Sequence, residues 1–153
     1  MNFRILVLVF LYCFSFLAAA KTNLIVGCFS SNGIKLKYVE INDENALLSY
    51  VLYEKSSGFI PLAFVGKSET TFDDRPSEFT VTWSEVVSGK INGIYIVSTQ
   101  GARFNNFYYK AKNNKIVQFK EDIEAYSSDG IDCKWAKKVK ALRGEKFICQ
   151  VRL

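Results

Sequence analysis

The chain has 153 residues, with 20 Lys and Arg against 15 Asp and Glu, four cysteines and no histidine. The missing histidine excludes Ser-His-Asp and Cys-His nucleophilic machinery and every His-containing zinc site. Hydrophobic residues make up 49% and aromatic residues 15%, the composition of a folded domain and not of a disordered chain.

Met1-Asn2-Phe3-Arg4 is a short segment with one cation. Ile5–Leu17 is an apolar run broken only by Ser15, and Ala18-Ala19-Ala20 follows with small residues. This is the layout of a cleavable secretory signal over residues 1–20, the run being shorter than the roughly 18 residues of a membrane span. The expectation is a soluble periplasmic or secreted protein with one antiparallel β domain over 21–135 and a basic extension over 136–153.

After residue 21, alternation with a period of two dominates. Asn23–Ser30 is strand-like. Ile34, Leu36 and Tyr38 alternate with Lys35 and Lys37, as in a half-buried strand. Ser31-Asn32-Gly33 between these two runs is a tight hairpin turn, since Asn-Gly tolerates positive φ. Ala46–Glu54 is a third strand, and Ser56-Ser57-Gly58 a turn. Phe59–Gly66 is a fourth, demoted to an edge or irregular strand by Pro61. Asp73-Asp74-Arg75-Pro76 forms a longer loop before the clearest alternation, in which Phe79, Val81 and Trp83 interleave with Thr80, Thr82 and Ser84. Ser88-Gly89-Lys90 turns the chain into Gly93–Gln100. Ala102–Ala111 and Lys115–Lys120 follow, with Lys112-Asn113-Asn114 between them. Glu121–Ala136 is less regular and carries a turn at Ser127-Ser128-Asp129-Gly130; Ala136–Leu142 is a helical turn or a loop. About eight short strands joined by hairpins make a small antiparallel barrel or a two-sheet sandwich.

Cys13 leaves with the signal, so Cys28, Cys133 and Cys149 remain, an odd number in an oxidising compartment. A bond from Cys28 to Cys133, or to Cys149 as the alternative partner, ties the chain ends together. A Cys133–Cys149 bond closes a terminal hairpin instead. Ile25-Val26-Gly27-Cys28 also matches the loose pattern of lipoprotein acylation, which makes a lipid anchor at Cys28 a minor alternative. Lys21-Thr22-Asn23 separates it from the apolar run.

The positive charge is concentrated at the end of the chain. Lys134, Lys137, Lys138, Lys140, Arg143, Lys146 and Arg152 stand against Asp132 and Glu145 in residues 131–153. Such a tail either stays solvated or makes weak contact with an anionic envelope surface.

Candidate chemistry is sparse. Asp73-Asp74 and the Glu121, Asp122, Glu124 group are the candidates for a carboxylate pair of the glycoside-hydrolase kind, and both lie in polar, turn-like settings where solvated carboxylates are usual. Asp73, Asp74 and Glu78 lack the spacing of a calcium loop. Phe104, Phe107, Tyr108 and Tyr109 interleave with Arg103, Lys110 and Lys112, which is compatible with base stacking; export and the core-filling role of alternate aromatics argue against nucleic acid. No cofactor motif is present.

Ser98-Thr99-Gln100-Gly101-Ala102-Arg103-Phe104 is a polar turn between two aromatic strands, placed where a rim loop carries binding function on a rigid scaffold. This heptapeptide, with Cys28 and Cys149-Gln150, resembles the Ser-Gly-x-x-Tyr-type loop and cysteine layout of the periplasmic inhibitors of c-type lysozymes. The resemblance implies a small exported β-barrel with a disulfide from the first strand to the chain end, and a loop that enters the lysozyme cleft with help from a lysine. Gln100 stands where that family has serine, Phe104 where it has tyrosine, and Lys110 and Lys112 both qualify as the lysine. The expectation is a non-enzymatic protein-binding module with Ser98, Thr99, Gln100, Gly101, Arg103 and Lys110 as binding residues. Its partner is a lysozyme-like cell-wall hydrolase. An immunity or other interaction protein that neutralises a toxin, or an envelope structural protein, is the alternative.

Overall fold

A computed structural model describes residues 22–43 and 46–136. The leader expected at 1–20 and the stretch 137–153, with most of the expected basic extension and Cys149, lie outside the described residues.

Eight strands follow one another as β1 (Asn23–Ser31), β2 (Ile34–Asn42), β3 (Leu47–Tyr53), β4 (Ile60–Thr70), β5 (Glu78–Val87), β6 (Lys90–Gln100), β7 (Arg103–Ala111) and β8 (Ile116–Glu121). Each pairs antiparallel with the next, and β8 returns to β1, so the sheet closes as an up-and-down barrel in chain order. The sheet closes as a barrel and does not split into a sandwich, so most of its edge is paired.

The turns follow from backbone chemistry. Asn32 and Gly33 both have positive φ (47° and 78°), as do Ser88 and Gly89 (51° and 73°), the primed geometry that matches strand twist in two-residue hairpins. In the β7–β8 hairpin the Asn114 amide donates to the Ala111 carbonyl, and the Ala111 amide donates to the Lys115 carbonyl. Asn114 takes the left-handed position at φ 64°, a three-residue loop with a bulge.

The inward positions of all eight strands fill the interior. Phe29, Leu36, Tyr38, Val51, Leu62, Val81, Trp83, Tyr95, Val97, Phe107 and Phe119 form one buried cluster, as an eight-stranded barrel requires. Phe107 is at its centre, with ring centroids 4.3 Å from Phe29, 5.5 Å from Tyr38, 5.9 Å from Tyr95 and 5.5 Å from Phe119. Gly27 lets the Phe29 and Phe104 rings lie against β1, where a Cβ would collide with both.

Closure is uneven. β3 meets β4 only at Ser49↔Leu62, Tyr50↔Pro61 and Val51↔Ile60, and β1 meets β8 only at Phe29↔Glu121 and Ser30↔Lys120. The barrel is thus a three-stranded and a five-stranded sheet joined at two short seams. Pro61 sits in one seam, which agrees with its reading as the mark of an edge-like strand. β4 nevertheless runs on to Thr70 and pairs with β5 past a bulge between Phe64 and Gly66.

The chain after β8 folds back over β1 and β2. The Asp122 amide donates to the Cys28 carbonyl at 2.8 Å, and a single turn of 3-10 helix covers Ile123–Ala125. Cys28 is bonded to Cys133, 105 residues on. That bond decides between the possible partners of Cys28 and leaves no thiol there for a lipid. Lys37 Nζ donates to Asp132 Oδ1 at 2.7 Å beside it. The disulfide fits the oxidising compartment expected for the chain.

Candidate functional site

β6 and β7 end in a two-residue turn, with Gln100 opposite Arg103. Gly101 alone of the two turn residues has positive φ, at 60°, as the first central position of a type II′ turn demands. Bonds on both sides fix the turn. Gln100 Nε2 donates to the Pro76 carbonyl at 2.9 Å, and Asn105 Nδ2 donates to Glu78 Oε2 at 2.6 Å. One strand layer further in, Ser98 Oγ and Thr80 Oγ1 lie 2.8 Å apart.

These contacts divide the predicted residues by role. Ser98 is buried and spends its hydroxyl on Thr80. Thr99 is half-buried between Phe79 and Phe104 in register. Gln100 is a tether. Gly101, Ala102 and Arg103 are exposed, and Arg103 makes no ion pair with any described residue. Lys110 is on the same strand as Arg103 but seven residues away, about 23 Å at strand rise, near the opposite end of the barrel and paired with Ile116. The structure therefore gathers Gln100, Gly101 and Arg103 and leaves Lys110 elsewhere.

A second cation joins the rim instead. The Pro76–Gln100 bond draws the β4–β5 loop to the hairpin, and Arg75 in that loop is exposed, its guanidinium 3.9 Å from the Phe72 ring centroid. No pattern in the sequence marks Arg75; the bond from Gln100 to its neighbour Pro76 brings it to the rim.

The carboxylates weighed for catalysis do not converge. Asp73 and Asp74 are exposed, and Glu121 accepts from the Tyr126 hydroxyl at 2.7 Å. Among the described residues, no three His, Cys, Asp or Glu side chains are grouped to hold a metal.

Two other carboxylates are inside the barrel. Glu85 accepts from Tyr109 at 2.7 Å and from Tyr95 at 3.3 Å, and the Tyr95 hydroxyl is 2.7 Å from that of Tyr53. Glu40 accepts from Tyr38 at 2.6 Å. Gly93 makes room for the first cluster, since a Cβ there would meet the Lys110 carbonyl at 2.6 Å and the Tyr109 ring. Both glutamates are 8% exposed, and a buried carboxylate persists only when hydrogen-bonded. Neither was singled out in the sequence, yet both continue an inward alternation: Leu36, Tyr38, Glu40 and Val81, Trp83, Glu85.

These contacts keep the phenols neutral. Burial first, and then the Glu40 charge, raises Tyr38; burial first, and then Tyr53, raises Tyr95. Burial and the Glu85 hydrogen bond raise Tyr109. Since each folded-state pKa lies above the ordinary 10.0, the stability they contribute is complete below pH 10 and is lost as the pH rises past it. The loss is about 1.4 kcal/mol per pH unit for each of Tyr38 and Tyr95. Ultraviolet absorbance of tyrosinate should show these two ionising only together with cooperative unfolding; independent reversible ionisation near pH 10 would contradict the network.

No protein-family model, curated protein or solved structure matches the chain. The functional reading therefore stands on the chain's own residues.

Proposed function

We propose that this chain is an exported, non-enzymatic protein-binding module whose Gln100–Arg103 hairpin occupies the carboxylate-lined cleft of a cell-wall hydrolase of lysozyme type. The observation that supports this is an exposed arginine, without an ion pair among the described residues, on a turn whose flanks are fixed by Gln100–Pro76 and Asn105–Glu78. A rigid turn loses little entropy on binding. A guanidinium offers paired donors that match a carboxylate, so Arg103 is the group to place between catalytic acids. Arg75 adds charge of the same sign at the same rim. Blocking a cleft needs no chemistry from the inhibitor, in keeping with a sequence that has no histidine and whose buried carboxylates are engaged by tyrosines.

The test is inhibition of peptidoglycan hydrolysis by Arg103→Glu beside the unaltered protein. Removing one member of a buried charge pair costs about 2 kcal/mol or more, so the inhibition constant should rise by roughly thirtyfold or more. The melting temperature should be unchanged because Arg103 is exposed. Equal inhibition by both proteins would remove the hairpin from the interface.

A further inference from the structure

The β1–β8 seam opens into a groove of about 560 Å³ at the end of the barrel opposite the Gln100–Arg103 hairpin. Past Ser30↔Lys120 the two strands diverge, so Ile116–Phe119 pair with β7 alone. Lys115 turns its carbonyl to Ala111 of β7. With the alternation of an antiparallel ladder, Ile116 and Gln118 then aim their N–H and C=O groups away from β7, into the groove. Among the described residues nothing pairs with this edge, which is of the kind that recruits another strand.

The lining defines what fits. By strand parity Ile34 shares the inward face with Leu36, and Val117 shares it with Phe119, giving one apolar side. Lys120 is on the outer side with Ile116 and Gln118, Lys115 is at the mouth, and among the described residues no Asp or Glu lines the groove. Ile34 and Ile116 remain 43% and 58% exposed. We propose that this groove is a strand-addition site for an extended acidic segment of a partner protein, apolar residues on one face and carboxylates on the other. Its backbone would complete the β8 edge, and its carboxylates would meet Lys120 on the outer face, with Lys115 adding positive charge at the mouth. The basic charge of the lining disfavours the chain's own Lys-rich end as occupant.

The probe is a fluorescein-labelled, capped octapeptide alternating glutamate and valine, titrated into the full oxidised chain by anisotropy. Saturable binding is expected, with slowed amide exchange at Ile116 and Gln118. Lys115→Glu with Lys120→Glu should weaken it by about tenfold or more. Gln118→Pro removes one groove-side donor without touching the β7 ladder and should abolish binding, whereas Arg103→Glu should leave it unchanged. A lysine–valine octapeptide binding equally well would overturn the proposal, as would acidic-peptide binding indifferent to both groove variants, or no binding at all. So would oligothymidylate binding that depends on the lysines but not on Gln118→Pro, which marks a plain polyanion patch. A dimer dispersed by Gln118→Pro would assign the groove to a second copy instead.

Discussion

Replacing Cys28 and Cys133 with alanine, in a Cys149→Ser background that prevents other pairings, is expected to lower the unfolding free energy by about 4–5 kcal/mol. The bond spans 105 residues, and the chain-entropy relation gives about 4.8 kcal/mol for a loop of that size. Domains of this kind hold about 5–15 kcal/mol in all, so the variant should be marginal at room temperature. Part of the effect is local. The bond fixes the segment after β8 onto β1, where the Asp122 amide meets the Cys28 carbonyl and Asp132 meets Lys37. A denaturant midpoint shifted in proportion is the expected result. A change below about 1 kcal/mol would mean that the unfolded chain gains little freedom when the bond is absent.

Phe107→Ala should cost about 3–5 kcal/mol, the range for removing a fully buried aromatic ring. The ring touches four other aromatic residues contributed by β1, β2, β6 and β8. Deleting it opens a void where both sheets meet, and neighbours held by their own strands can fill it only in part. Phe79→Ala is the internal comparison: that residue is 36% exposed and lies outside the buried cluster, with Lys67 over its ring, so its loss should cost about 1 kcal/mol. Urea titration of the two variants separates the cases. Equal small losses would contradict a core organised around Phe107.

Much of the fold was legible in the chain because alternation and turn chemistry agree. Val81 and Trp83 set the inward face of β5, with Phe79 continuing the alternation at its exposed start, and Asn32-Gly33 and Ser88-Gly89 carry the positive φ their turns need. β4 was harder. Its last residues, Lys67–Thr70, are polar and exposed on both faces, and among the described residues no strand pairs with β4 on the β3 side past Leu62. Alternation signals a strand only where one face is buried. The same logic divides the site. The hairpin at Gly101 was readable as a turn, but Arg75 enters through a tertiary bond and Lys110 leaves through strand length. Glu40 and Glu85 fell on inward positions, where their charge ran against the usual rule for cores; the hydroxyls that explain them come from Tyr38 two residues away on β2 for Glu40, and from Tyr95 and Tyr109 on β6 and β7 for Glu85.

The most direct measurement is inhibition and co-purification of the oxidised protein with a panel of lysozyme-type hydrolases, at low and at moderate salt. Stoichiometric inhibition that weakens with Arg103→Glu and with added salt is the predicted result, since an arginine in a carboxylate-lined cleft contributes electrostatically. A panel of active hydrolases left uninhibited and unbound at low salt would contradict the proposed function.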